Sequence, residues 1–253
     1  MFKEVIYFFL YLVRSILKPI FNFKEITVLL YHSVAKNNWY ASVNPEDFDR
    51  QMKYLKDNYK VVSLKEIISY QKGEIDLPQK SVAITFDDGY KDNYEIAWPI
   101  FKKYNLPFTI FVTTNLENNQ GMNNDFPRLA WPQIKEMASE GVTIGGHGAN
   151  HRDLDKLDDM ALKAEITDCQ KILENELGKN SWHFSYPGGK YNQPVIKAVK
   201  EAGFISACTT QQGLVKKGDD IYQIKRIWVH RGLSFLAFKA RLTKVADWLA
   251  SFK

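Results

Sequence analysis

From residue 27 onward the chain alternates short apolar, β-branched runs with longer stretches whose apolar positions recur every three or four residues. The runs Thr27–Tyr31, Lys60–Val62, Val82–Thr85, Phe108–Val112, Val142–Gly145, His183–Tyr186, Phe204–Cys208 and Gln223–Val229 read as strands. Residues 46–58, 64–71, 92–104, 131–140, 158–178, 192–202 and 234–250 read as helices. In the 158–178 stretch Leu162, Ile166, Cys169, Leu173 and Leu177 form one apolar stripe. Strict alternation of strand and helix implies an α/β fold with a mostly parallel sheet, and about seven or eight such units suggest closure into a barrel. An open doubly wound sheet is the alternative. The Asn- and Gly-rich stretch Thr114–Leu129 reads as a loop over the functional end of the sheet.

The N-terminal two dozen residues break this pattern. Val5–Val13 is the most apolar run of the chain, and it stops at Arg14, with Lys18 and Pro19 beyond. Nine apolar residues are too few to cross a bilayer as a helix, which takes roughly 20. Ser15-Ile16-Leu17-Lys18 offers no small-residue cleavage site for a signal peptide. Two readings stay open for residues 1–22: an interfacial helix making peripheral membrane contact, with Lys3, Arg14 and Lys18 facing anionic headgroups, or a helix packed on the domain. The chain thus divides into an N-terminal segment, 1–25, and one catalytic domain, 26–253, working at the membrane or cell envelope through an uncleaved anchor, or else on the cytoplasmic side.

Composition narrows the classes further. A 45% hydrophobic content suits a globular domain with a sizeable core. Lys and Arg exceed Asp and Glu by 34 to 29, and these charges are scattered, so nucleic acid is not an expected partner; the expected state is a monomer. Cys169 and Cys208 lie far apart without CxxC spacing and read as buried free thiols or a disulfide, and neither reads as a nucleophile. No GxGxxG or GxxxxGK[ST] follows any strand, which removes support for a phosphate-cradling site.

Side chains at the carboxyl ends of parallel strands converge on one face, where ligands bind. Three such ends carry chemistry here: Asp87-Asp88-Gly89, Gly146-His147-Gly148-Ala149-Asn150-His151, and Pro187-Gly188-Gly189-Lys190-Tyr191. By itself Asp-Asp-Gly reads as a solvated, helix-capping turn, and HxxxH as coincidence. His147 and His151, four apart, suit one side of a helical turn and a shared cation, and with one Asp they meet the three-ligand count of a catalytic zinc site. A cation lowers the pKa of a water it binds, and a base must still take that water's proton, so one Asp would ligate and its neighbour would serve as base.

With these residues in place the chain resembles the carbohydrate esterase family 4 polysaccharide deacetylases, or NodB-homology domains. Thr85-Phe86-Asp87-Asp88-Gly89-Tyr90 is similar to their first motif, His147–His151 to the second and Phe184–Gly189 to the third, and the likeness spans roughly residues 26 to 230. It implies a distorted (β/α)7-type barrel and metal-dependent deacetylation of an N-acetylated sugar polymer. It also implies Asp87 as general base, Asp88, His147 and His151 as metal ligands for Zn2+, with Co2+ or Ni2+ as alternatives, and the Gly188 N–H as oxyanion donor. Val28–Ser33, ending at His32, resembles the start of the deacetylases acting on poly-N-acetylglucosamine.

Three departures stand out. Gly148 replaces the usual Ser or Thr of the second motif, removing a loop-tethering hydroxyl. Ser185 stands where many members carry an arginine that orients the catalytic Asp; Arg226 is a substitute for it or a surface salt bridge. Ile227–His230 resembles the late Leu-x-His motif, making His230 a candidate general acid or, alternatively, a structural histidine. His32 reads as a hydrogen-bonded structural residue near the mouth, and His183 as part of the wall. Trp39, Tyr40, Trp131 and Tyr191 are loop aromatics able to stack on sugars or to cover a core edge. The expected function is removal of acetyl groups from N-acetylhexosamine residues of a cell-surface polysaccharide. The alternatives are a catalytically weak carbohydrate-binding protein on the same fold and a C–N hydrolase for small amides.

Overall fold

The computed structural model describes residues 24–116, 126–178 and 182–243, together with Leu12. The interfacial or packed segment expected at residues 1–22, Leu12 apart, and the tail of the 234–250 helix beyond residue 243 lie outside the described residues. No described helix is long and apolar enough to cross a membrane.

The frame is built on β1 (Glu25–Tyr31), buried along its whole length. It pairs in parallel with β5 (Lys80–Phe86) from Glu25↔Lys80 through to Tyr31↔Phe86. β6 (Thr109–Val112), β7 (Thr143–Gly146), β8 (His183–Ser185) and β9 (Ser206–Cys208) follow in sequence order, all parallel. β10 (Ile227–Trp228) returns to the free side of β1, and β4 (Lys60–Val61) adds to the start of β5. Every predicted strand is present.

The last one is shorter than predicted because residues 221–228 serve two neighbours in turn. Ala207 and Thr209 on the β9 side exchange backbone bonds with Ile221 and Ile224, after which Ile227 and Trp228 pair with Leu29 and Leu30 of β1. One extended segment thereby bridges the two ends of the curled sheet and makes a distorted barrel. A second, two-residue pair, β2 (Ser33–Val34) with β3 (Ser42–Val43), is too short to leave a periodic trace in the sequence.

Helices flank the sheet, and all but the one over residues 64–71, whose Leu64, Ile67 and Ile68 join the interior cluster, pack on the outer face. They are α1 (Pro45–Asn58), α2 (Leu64–Gln71), α3 (Trp98–Tyr104), α4 (Trp131–Ser139), α5 (Asp159–Leu177), α6 (Gln193–Glu201) and α7 (Phe235–Arg241). α2 starts where predicted because Ser63 and Glu66 form a reciprocal capping box, Ser63 Oγ accepting from the Glu66 amide at 3.2 Å and Glu66 Oε2 from the Ser63 amide at 2.8 Å. The predicted 92–104 helix splits. Pro99 has no N–H to give, and the turn before it, Asn93–Ala97, is a wider π-helical one.

The two faces of each strand enter different clusters. Leu29, Tyr31, Val82, Ile84 and Phe86 pack under the helices, whereas Ile26, Val28, Ala83, Phe111, Cys208 and Ile224 pack together inside the curl. Both cysteines are free and buried, and burial pushes each thiol up to about 12, so neither is a nucleophile at neutral pH. His183 lies in the wall, buried, with Nδ1 2.9 Å from Ser206 Oγ.

Burial lowers the pKa of His183 to about 4, whereas in the unfolded chain it returns to about 6.5. Between those values the unfolded chain binds the extra proton. This contribution is therefore complete above pH 6.5 and is lost as pH falls toward 4. On moving from pH 7 to 5, urea unfolding should show the unsubstituted protein losing about 2 kcal/mol more than His183→Gln. Equal losses would remove His183 as an acid-sensitive point.

Candidate active site

At the carboxyl end of β5 the Asp87 amide still donates to Tyr31 O at 2.9 Å, so the ladder runs one residue past the strand. Asp87 therefore keeps the face of Ala83 and Thr85. Asp88 and Gly89 then both take left-handed dihedrals, φ +75° and +66°. For a non-glycine residue that conformation costs on the order of 1–2 kcal/mol, Asp being among the few that visit it. The paired left-handed residues turn the chain so that both carboxylates reach one mouth. The sequence pointed to the glycine; Asp88 adopting the same region carried no signal beyond its residue type.

His147 extends β7, its amide donating to Val112 O at 2.9 Å. The helical turn expected across His147–His151 is not what brings the two rings together. The residues between them form a loop, with Gly148 at φ +77° and His151 at +57°, and the imidazoles meet at 4.9 Å between centroids. Asp88 Oδ1 lies 3.3 Å from His147 Nε2 and 3.4 Å from His151 Nε2, and one donor atom from each residue falls within 4.8 Å of the others.

Ser185 O can only accept, so at 2.7 Å it fixes the hydrogen of His147 on Nδ1 and leaves the Nε2 lone pair facing a carboxylate. That arrangement calls for positive charge between them. Burial would push the Asp88 carboxyl up, but the adjoining His147 and His151 imidazoles, whenever they carry a proton toward it, hold it well below the usual range. The residues fit a divalent cation.

Asp87 is held differently. Arg226, fully buried, forks onto it, Nη1 to Oδ1 and Nη2 to Oδ2, both at 2.7 Å. Its remaining donors go to Thr209 O (2.9 Å), Thr85 Oγ1 (3.1 Å) and Ser185 Oγ (2.9 Å), which satisfies all five N–H groups. Ser185 Oγ in turn donates to Asp87 Oδ2 at 3.1 Å. Arg226 is thus no surface salt bridge: it is buried and holds the Asp87 carboxylate in a two-point fork beside Ser185. Burial raises the Asp87 pKa, and the charges of Arg226 and His147 with the fork bonds outweigh it, leaving the carboxyl below its ordinary value.

Above these groups lies a cavity of about 260 Å³ lined by His32, Trp39, Tyr40, Asp87, Asp88, Tyr90, His147, His151, Gly188, Thr210 and Trp228. Gly188, at φ +58° in the Pro187–Gly189 turn, forms one wall. His32 is part of the site rather than a hydrogen-bonded structural residue: its Nδ1 is buried without a partner and its ring stands edge-on to Trp39 and Trp228. His230 does not line the cavity. Its ring packs on Trp228 at 4.9 Å and its Nδ1 accepts from the Gly232 amide at 3.2 Å. Among the loop aromatics, Trp39 and the largely exposed Tyr40 form the rim, whereas Tyr191 stacks on Tyr186 and bonds Gln223, and Trp131 lines a separate groove. A larger cavity, about 1050 Å³, between α5 and α6 touches none of the triad or its carboxylate neighbour.

The sequence profile of the polysaccharide deacetylase family matches residues 74–207. The chain is 33% identical over 217 residues to YxkH of Bacillus subtilis (strain 168), covering 85% of this chain and 75% of that protein. It is 34% identical over 200 residues to the poly-β-1,6-N-acetyl-D-glucosamine N-deacetylase of Staphylococcus epidermidis, covering 74% and 68%. Among solved structures, the deacetylase PplD of Streptococcus pyogenes in complex with acetate superposes with a TM-score of 0.76 at 28% identity, over 86% of this chain and 97% of that one. IcaB from Ammonifex degensii also gives 0.76, at 26% identity, over 86% and 96%.

Removing one partner of a buried, fully bonded ion pair strands the other. Arg226→Leu should therefore lower the unfolding free energy by about 3–5 kcal/mol in urea melts, and Arg226→Lys, which restores charge without the fork, should recover part of it. A loss under about 1 kcal/mol for Arg226→Leu would mean the fork does not form.

Proposed function

The chain belongs to the polysaccharide deacetylase family and is a polysaccharide N-deacetylase, and we propose that Asp87 is its general base, Asp88, His147 and His151 its metal ligands, and Gly188 an oxyanion donor. The observation that carries this reading is the convergence of one carboxylate and two imidazoles within 4.8 Å, beside a second carboxylate that an arginine orients separately. A divalent cation in that donor set, Zn2+ in our reading and Co2+ or Ni2+ as functional substitutes, would supply Lewis acidity, lowering the pKa of water and stabilising negative charge on the acetamide oxygen.

The chain's own groups do the rest. Asp87, ionised at neutral pH and unable to rotate within the Arg226 fork, accepts the proton of the attacking water as the C–O bond forms. The Gly188 N–H, in the cavity wall, is the donor we assign to the oxygen that gains charge. When the C–N bond breaks, the amine leaves with a proton. Burial lowers the pKa of His32, so its imidazolium, once it has taken up a proton, gives it up readily, and this imidazole lining the cavity is the group we assign to deliver the proton, in place of His230, which packs on Trp228 outside the lining.

About 260 Å³ holds an acetamido group and part of a sugar, not a chain of sugars. The rest of a polymer would lie across the rim, where Tyr40 is 64% exposed and edge-on to Trp228. Together with the relatives named for poly-β-1,6-N-acetyl-D-glucosamine deacetylation, this supports a β-linked N-acetylglucosamine polymer of the cell envelope as substrate.

Acetate release from poly-N-acetylglucosamine with added Zn2+, Co2+ or Ni2+ tests the activity. His147→Ala should lose bound metal and activity together, whereas Asp87→Asn should keep the metal and lose at least 100-fold in turnover, a general base being worth about 10²–10⁴. Near-normal turnover in Asp87→Asn would remove it as base. For the second imidazole, His32→Ala should lower kcat by at least tenfold and His230→Ala by less than threefold. The reverse order would return the proton-donor role to His230.

A further inference from the structure

The two imidazole ligands are not held alike. His147 has Nδ1 anchored on Ser185 O at 2.7 Å, the kind of outer-shell bond that orients a ligating histidine. The Nδ1 of His151 is buried and has no partner, and its backbone sits at φ +57°. Its position therefore depends on the loop that carries it.

That loop is tied from both sides. On one side the amides of Thr114 and Asn115 donate to Gly148 O (3.2 Å) and Ala149 O (2.9 Å), and Asn115 Nδ2 donates to Asn150 Oδ1 at 3.0 Å. On the other side stands Glu165, from the middle of α5. It is buried, and no ion pair among the described residues involves it. Its Oε1 accepts from the Asn150 amide at 2.5 Å and its Oε2 from Asn150 Nδ2 at 2.9 Å, and its main-chain carbonyl accepts from the Ala149 amide at 3.1 Å. A carboxyl group taken out of water without a cation has to be explained by what it holds. Glu165 holds the residue immediately before His151.

Gly148 completes the argument. A Cβ there would lie 2.9 Å from Glu165 Oε1, and φ is +77°. No side chain, Ser and Thr included, fits beside Glu165 without displacing it. A side chain at position 148 and the Glu165 carboxylate in its present place compete for the same space.

We propose that Glu165 is the positioning residue for the ligand His151, acting through Asn150, and that Gly148 is the space it requires. This rests on the reading of Asp88, His147 and His151 as a metal centre. The test is Co2+ affinity by competition with a chromophoric chelator, with the cobalt absorption band as the signature of the ligand set. Disturbing outer-shell partners typically weakens metal sites 10–100-fold, so Glu165→Ala should bind Co2+ roughly that much more weakly, with an altered band. Glu165→Gln, whose carbonyl can still accept the Asn150 amide, should stay within about fivefold of the unsubstituted protein, whereas Glu165→Leu, which keeps the bulk without an acceptor, should weaken Co2+ as Glu165→Ala does.

Affinity within twofold for Glu165→Ala overturns the proposal. If Glu165→Ala shows no cooperative melt, Asn150→Ala decides: it cuts the Oε2 bond from the loop side and should weaken Co2+ by at least fivefold, while unchanged affinity overturns the assignment. Failure of the unsubstituted protein to bind Co2+ at all would instead defeat the metal-centre reading beneath it.

Discussion

The structure turns on one ion pair, the fork of Arg226 onto Asp87 inside the barrel. Buried ion pairs add little to stability over apolar packing, but they are specific, because either partner alone is a stranded charge. Here the specificity is architectural. Asp87 belongs to the end of β5, Ser185 to β8, Thr209 to the exit of β9, and Arg226 to the segment that leaves β9 and joins β1. The guanidinium can reach all its acceptors only if that segment has closed the seam. Completing the barrel and orienting the candidate base are in this sense one event.

The alternation of strand and helix was legible because parallel strands under helices are apolar runs between amphipathic ones, and nothing in the chain competes with that pattern. The site was legible in its residue types: Asp87 and Asp88 ahead of a glycine, two histidines four apart, Pro-Gly-Gly after a strand. What the sequence could not carry was how those residues converge. Asp88 and His151 both sit at positive φ, which composition suggests for glycine and only weakly for Asp or His. The HxxxH spacing fits a helical turn equally well, and only tertiary bonds from 114–115 and Glu165 make it a loop. Arg226 is 139 residues from Asp87, a contact without a local trace. His32 and His230 both follow strand-like runs, and what separates them is that His32 and the Trp228 ring line the cavity whereas His230 packs against Trp228. The π-helical turn at Asn93–Ala97 is the one place where helical periodicity concealed a different hydrogen-bond register, next to a proline.

The two adjacent carboxylates have separate electrostatic environments despite sharing a peptide bond. Asp87 faces a permanent cation and the Ser185 hydroxyl in the barrel interior; Asp88 faces two imidazoles at the mouth. The left-handed backbone of Asp88 itself turns its carboxylate away from the direction of Asp87, so each can have its own task. The loop carrying His151 is bonded from α5, through the Glu165 carboxylate and carbonyl, and not by a hydroxyl within the loop.

The most direct measurement is X-ray absorption on protein loaded with one equivalent of Co2+ or Zn2+. The account expects a first shell of nitrogen and oxygen with back-scattering from two imidazoles, reduced to one in His151→Ala and retained at two in Asp87→Asn. A shell without imidazole scattering, or one that loses an imidazole when Asp87 is changed, would contradict it.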